Sequence, residues 1–151
     1  MLNAALQTVG PYRVLQELGR GRRSKVLLAQ SDGGAPVALK VAAEGLAREF
    51  ALLRALAHPN VVGAHAQGRF GSGEWLALEA AAGCAHGPAR EDLVVSRARQ
   101  AATALAHIHH GGWVHRDLKP ANLLLSQGGT LLLADLGSAA PRGQPGAARG
   151  V

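Results

Sequence analysis

Cys84 is the only cysteine, which excludes an internal disulfide and suits a reducing compartment, so a cytoplasmic location is expected. Aromatic residues make up only 3% of the chain, so any core must be built from Ala, Leu and Val. No apolar run approaches the roughly eighteen residues that span a bilayer, so no membrane segment is expected. Met1 to Gly10 contains no basic residue and no long apolar stretch, and does not read as a signal peptide. Charged residues are 17%, below the usual share of about a quarter. Lysine and aspartate are scarce: three lysines stand against thirteen arginines, and there are four aspartates.

What is present is enough for one domain, or part of a larger one: 151 residues, 48% of them hydrophobic. The net charge of +6 raises nucleic acid as a partner. The arginines are scattered from Arg13 to Arg149, however, and no aromatic stacking platform accompanies them, so a solvated surface is the simpler reading and no nucleic-acid role is expected.

Periodicity divides the chain. Tyr12–Leu18, Lys25–Gln30 and Val37–Val41 read as strands, with a glycine-containing turn after the first and Ser31-Asp32-Gly33-Gly34 after the second. Leu46–Ala57 reads as a helix with Leu46, Phe50, Leu53 and Leu56 on one stripe, stopped by His58-Pro59-Asn60. Val61–Ala66 and Trp75–Glu79 read as two more strands, and Gly83–Pro88 as a connector. Asp92–His110 reads as a second helix with Val94, Ala98, Ala101, Leu105 and Ile108 as its apolar stripe. Leu123–Leu125 and Leu131–Ala134 form a hairpin around Gly128-Gly129, and an aperiodic tail of Ala, Pro, Gly and Arg, read as disordered, begins at Ala139.

The scarce residues fall where chemistry could use them. Gly19-Arg20-Gly21 lies in a turn where the backbone could approach phosphate oxygens, although an ordinary hairpin turn is the competing reading. Lys40 ends the apolar run Val37-Ala38-Leu39 and needs a counter-charge or an anion. Glu49 interrupts the apolar stripe of the first helix, which suggests that it has a partner; Glu44 is the alternative counter-charge, leaving Glu49 a solvated surface residue. Asn122 precedes the first strand of the Leu-rich hairpin and Asp135 follows the second. An antiparallel hairpin returns both to one end, so two oxygen ligands converge. His107, His109 and His110 lie at a helix C-terminus and lack the Cys or carboxylate that would complete a metal site.

His115-Arg116-Asp117-Leu118-Lys119-Pro120-Ala121-Asn122 resembles the catalytic loop of protein kinases, and Asp135-Leu136-Gly137 resembles their Asp-Phe-Gly metal motif. The turn at Gly19–Ser24 resembles their glycine-rich loop, with Ser24 in place of the third glycine. Arg23 stands where the family usually has a small or hydrophobic residue. Lysine two after the aspartate points to Ser/Thr phosphorylation, of the bacterial type.

The resemblance implies an α+β fold. A small lobe with a five-stranded antiparallel sheet and one helix would span residues 12–82 with the hinge, after an N-terminal segment 1–11. The start of an incomplete helical large lobe would span 83–138, and a tail 139–151. It implies ATP and Mg²⁺ as cofactors and protein Ser/Thr hydroxyls as substrate. Asp117 would orient the hydroxyl and accept its proton, Lys119 would neutralise the transferred phosphoryl group, and Asn122 and Asp135 would hold Mg²⁺. Leu18, Gly19, Gly21, Ser24, Val26, Ala38, Lys40, Glu49, Leu78, Glu79, Ala81 and Leu124 would form the ATP site, with Leu78 as gatekeeper. The family's activation segment and later helices have no counterpart in these residues. A partner chain, or a longer parent chain, is therefore expected to cover the second helix, and a non-catalytic nucleotide-binding or interaction module is the alternative function.

Overall fold

The structure, a computed structural model, describes residues 7–143. Its main sheet is antiparallel, with strands β1 (Thr8–Val9), β2 (Tyr12–Arg20), β3 (Ser24–Gln30), β4 (Pro36–Ala42), β5 (Ala64–Phe70) and β6 (Gly73–Glu79) in the order β1-β2-β3-β4-β6-β5. The five expected strands are all present, and the two-residue β1 adds an edge through Val9↔Tyr12. Helix α1 (Leu46–Ala55) connects β4 to β5. After β6 come β7 (Gly83–Cys84), helix α2 (Glu91–His110), β8 (Trp113–Val114), a 3-10 turn at Pro120–Asn122, β9 (Leu123–Leu125), β10 (Leu131–Leu133) and β11 (Ala140–Pro141).

Strand alternation sorts the residues of the sheet onto two faces. Leu27, Ala29, Val37, Leu39, Trp75 and Ala77 pack with Val9 and Tyr12 on the outer face. Trp75 meets the Tyr12 ring edge-on at 5.4 Å and lies so close to Gly10 and Gly68 that a Cβ at either would strike the indole at 2.7 or 2.6 Å. The inner face follows from register: Val26↔Lys40, Ala38↔Leu78 and Lys40↔Leu76 put Val26, Ala38, Lys40, Leu76 and Leu78 on one side.

That inner face shares a core with both helices. Leu46, Leu52, Leu53 and Leu56 of α1 and the loop after it cluster with Leu76, Leu78, Ala104, Ile108, Leu133 and Leu136. A second tie crosses the same junction. The buried Asn60 donates from its amide to the Leu131 carbonyl at 2.9 Å and to Gln100 Oε1 at 3.1 Å, and Gln100 Oε1 also accepts the Leu131 N–H.

Several expectations need correction. The fifth strand begins at Ala64 rather than Val61, because Val61 and Val62 are drawn to β10: Val61 makes a parallel bridge with Leu133, and Val62 N–H donates to the Leu133 carbonyl at 3.0 Å. The connector at Gly83 pairs with β9 through Gly83↔Leu125 and Cys84↔Leu124. On α2 the fully buried residues are Ala104 and Ile108, while Val94 and Ala98 of the expected stripe are exposed. The tail is ordered in its first residues. Ala139 and Ala140 are buried, and β11 pairs with β8 because the backbone of Ala140 and Pro141 completes a two-strand ladder there. The rest of the expected tail, residues 144–151, lies outside the described residues, as do residues 1–6 of the N-terminal segment.

Candidate active site

The chain positions Lys40 by strand register and Glu49 by helix register. Lys40 is on the inner face of a central strand and is buried. Helix α1 starts after Gly45, whose φ of 91° is in the left-handed region that glycine tolerates. Its first N–H groups are capped from elsewhere: Glu74 Oε2 on β6 accepts from Leu46 N–H at 2.7 Å and from Ala47 N–H at 3.3 Å. A carboxylate at a helix N-terminus satisfies orphan donors and complements the macrodipole. Glu49 then falls in the first turn and points into the core, 2% exposed.

Lys40 Nζ donates to Glu49 Oε2 at 2.7 Å and to Asp135 Oδ1 at 3.0 Å. Burial opposes the lysine charge, but the two carboxylates outweigh it and hold the Lys40 pKa above its ordinary value. Burial raises Glu49, against the pull of Lys40. For Asp135, burial is overcome by Lys40 and by the Gly137 N–H bond at 3.2 Å, and its pKa is lowered. The Glu49 Oε1 atom is buried without a hydrogen-bond partner. Gly137 lies over this cluster: a Cβ there would be 3.1 Å from Asp135 Oδ1, 3.4 Å from Glu49 Oε2 and 3.7 Å from Lys40 Nζ.

The loop 115–122 is assembled around His115, which is 1% exposed. Its Nδ1 accepts the Asp117 N–H at 3.2 Å, so Nε2 carries the proton and donates to the Ala134 carbonyl at 2.9 Å. This couples the loop to the residue before Asp135. Asn122 does the same from the other side: its carbonyl accepts the Ala134 N–H at 2.9 Å, and its amide donates to the Asp117 carbonyl at 2.8 Å and to Asp117 Oδ2 at 3.4 Å. Lys119 Nζ is 3.2 Å from Asp117 Oδ2. Arg116 and Asp135 are the non-glycine residues with positive φ among the described residues, at 68° and 63°, and both belong to these motifs.

A cleft of about 1460 Å³ opens beside Lys40, lined by Gly21, Ser24, Lys40, Glu49, Asp135 and Gly137 among others. Its roof is the turn between β2 and β3, closed by Gly21 N–H on the Ser24 carbonyl at 2.8 Å. The expected adenine-side residues lie elsewhere on the same inner face. Val26 and Ala38 are half-buried, and Leu78 is buried on β6. Leu124 pairs with Cys84 just after the hinge. Gly19 pairs with Val26, Ala81 is half-buried two residues past β6, and Leu18 is 52% exposed on β2. Glu79 commits its N–H to the Gly63 carbonyl at 2.8 Å and its carboxylate to Gly63 N–H at 3.2 Å, so that N–H is not a donor for a ligand.

The motif reading did not single out Glu74, Arg48, His115 or Gly137 for their contacts. Arg48, beside Glu49, donates to the Ala139 carbonyl at 2.7 Å and lies 5.5 Å from the Trp113 ring centroid. It ties α1 to the segment after Asp135. Glu74 carried no local signal, although an acidic group suits a helix N-terminus. Its partner helix starts 28 residues earlier in sequence.

A profile described as the protein kinase domain matches residues 12–148. The chain belongs to the protein kinase family. Its similar relatives are Ser/Thr kinases. The probable serine/threonine-protein kinase PknB of Lactococcus lactis is 31% identical over 147 residues, 85% of this chain and 23% of its own length. Serine/threonine-protein kinase PknJ of Mycobacterium bovis is 35% identical over 156 residues, 89% of this chain and 26% of its own length. A putative CBL-interacting protein kinase 27 of Oryza sativa is 34% identical over 149 residues, 87% of this chain and 37% of its own length. The chain thus spans about a quarter of the length of the two bacterial relatives. No helix among the described residues is long and apolar enough to cross a membrane.

Proposed function

We propose that this chain carries the nucleotide-binding and catalytic-loop part of a Ser/Thr protein kinase, binding Mg-ATP and passing its γ-phosphoryl group to a protein hydroxyl. The observation that carries the reading is the Lys40 bridge to Glu49 and Asp135 at 2.7 and 3.0 Å, beside a loop in which Asp117, Lys119 and Asn122 touch one another. In kinases a lysine so held grips the phosphates, and the rate comes almost wholly from positioning and electrostatics.

The residues fit the cofactors. Among the described residues no group of three or more His, Cys, Asp or Glu forms a metal cage. Mg²⁺ in such sites rests on one or two protein oxygens plus phosphate oxygens, which the Asn122 and Asp135 side chains can supply. When bound, the metal neutralises charge on the phosphates. Gly19, Gly21 and Ser24 would cover the phosphates with backbone. Leu18, Val26, Ala38, Leu78 and Leu124 would enclose the adenine, with Glu79 and Ala81 at its edge. Asp117 would accept the hydroxyl proton, and Lys119 would balance the transferred charge. The lone, exposed Cys84 fits a reducing compartment, the cytoplasm.

The test is phosphate transfer from ATP to a generic protein. Asp117→Asn should lower it by about 10²–10⁴-fold. Transfer that survives the substitution would remove Asp117 from the role of base.

A second reading, a kinase-derived interaction module without turnover, draws on the bare start of α2, where Leu93, Val94 and Val95 are 45%, 52% and 51% exposed. A partner chain would cover that face. Measurable turnover by these 151 residues would rule this reading out.

A further inference from the structure

The turn over the cleft carries charge that the triad below it does not use. Arg22 and Arg23 are its corner residues, because Gly21 N–H and the Ser24 carbonyl close the turn on either side of them. Both are exposed, and both line the cleft together with Arg20, Lys25 and Lys40. Two of the other three cations are already engaged. Lys40 is held by Glu49 and Asp135, and Arg20 is 3.1 Å from Glu17. Arg22 and Arg23 have no ion pair among the described residues. Of the carboxylates that line the cleft, only Glu44 has no cation partner among the described residues, so Arg22, Arg23 and Lys25 together outnumber the one unpaired acid.

Adjacent guanidinium groups at a cleft rim select for anions, because each fork matches a carboxylate or phosphate with two parallel hydrogen bonds. Two sources of that chemistry would meet them: the terminal phosphate of the nucleotide, or acidic side chains on the polypeptide to be phosphorylated. The nucleotide phosphates already have Lys40 and the turn backbone in the proposed site. The cleft, about 1460 Å³, also exceeds the roughly 300–1,000 Å³ of a small-ligand site, which leaves room for a peptide segment.

We propose that Arg22 and Arg23 read acidic residues flanking the acceptor hydroxyl, so that the substrate class is an acidic Ser/Thr segment. This rests on the kinase reading above and names the substrate of the same site.

The test uses the 151-residue chain and a labelled serine peptide flanked by glutamates, with a glutamine-flanked copy as its neutral counterpart. Affinities are read by fluorescence anisotropy at about 0.15 M salt, with and without MgATP. The glutamate peptide should bind roughly tenfold tighter than the glutamine peptide. That ratio should fall toward one in the double variant R22S/R23S. It should persist in R13S/R99S, which removes the same charge from exposed positions elsewhere. A ratio that survives R22S/R23S would overturn the proposal. So would a control that erases the ratio equally, since net charge alone would then explain it. A loss of MgATP affinity in R22S/R23S larger than the loss of glutamate-peptide affinity would assign the arginines to the nucleotide and also overturn it. A chain that binds the acidic peptide selectively without binding MgATP would contradict the kinase reading and leave the acid-reading arginines standing.

Discussion

At the scale of single residues, the site is governed by what lies within a few ångströms of Lys40. Gly137 leaves little room: a Cβ there would come to 3.1 Å from the carboxylate that Lys40 holds. Gly137→Ala should therefore shift Asp135 against Lys40 by a few tenths of an ångström, at the low end of the roughly 1–3 kcal/mol cost of overpacking. Titration calorimetry should show MgATP affinity falling roughly tenfold, the equivalent of about 1.4 kcal/mol. Gly128→Ala, where the nearest neighbour would be 3.9 Å away, should leave it unchanged. The three residues that the structure brings together at Lys40 were legible in the sequence. Lysine and aspartate are rare here, so an isolated Lys40 at a strand end and an Asp135 after a hairpin stood out. Glu49 stood out because a carboxylate broke an apolar stripe, and the structure pairs it, rather than Glu44, with Lys40. The contacts of Gly137 could not be read, since they join groups 88 and 97 residues apart, a separation over which periodicity carries no information.

At the scale of elements, α1 is the part whose placement matters most, because it presents Glu49. Three contacts hold it: the Glu74 carboxylate at its first N–H groups, Arg48 on the Ala139 carbonyl, and Glu49 on Lys40. Glu74→Ala should destabilise the chain by about 1 kcal/mol, the usual cost of losing a helix cap. Glu74→Gln, which keeps an oxygen acceptor, should cost less. Denaturant unfolding measures both. The loop after α1 meets α2 through His58 and His107, whose rings are 4.8 Å apart. Burial and the neighbouring His107 lower the His58 pKa from 6.5, and His58 Nδ1 accepts the Asn60 N–H at 3.0 Å, a bond that protonation there would break. A depressed histidine stabilises the fold above its unfolded pKa. Stability should thus be complete above pH 6.5 and decline as pH falls through the folded value. His58→Gln should remove that part of the decline, as followed by unfolding at pH 7.5 and pH 5.5. Element type was legible from period, whereas boundaries moved where tertiary pairing intervened. Val61 reads as a strand residue because it is β-branched and apolar. Its partner is nevertheless β10, which only the folded chain brings alongside. Likewise Ala140 and Pro141 carry no strand signal and become β11 only because β8 is next to them.

At the scale of the whole molecule, the main sheet and the region from α2 to β10 are joined by one apolar cluster and by Asn60. Leu136, fully buried in that cluster, is the neighbour of Asp135, so packing between the two parts places Asp135 against Lys40. The α+β, kinase-like fold was legible because motifs in the right order imply it. The uneven burial of α2 was only half legible: the stripe predicts which side is apolar, and not that the start of the helix stays bare.

The central claim is that these residues assemble a phosphate site, and thermal unfolding of the 151-residue chain with and without MgATP tests it most directly. At a hundredfold excess over the dissociation constant, binding should add about 2.7 kcal/mol. For a chain of this size that raises the midpoint of a cooperative melt by roughly 5–10 °C. Lys40→Met should abolish the rise. A cooperative melt that MgATP does not move, a rise that Lys40→Met leaves intact, or no cooperative melt at all would contradict the account.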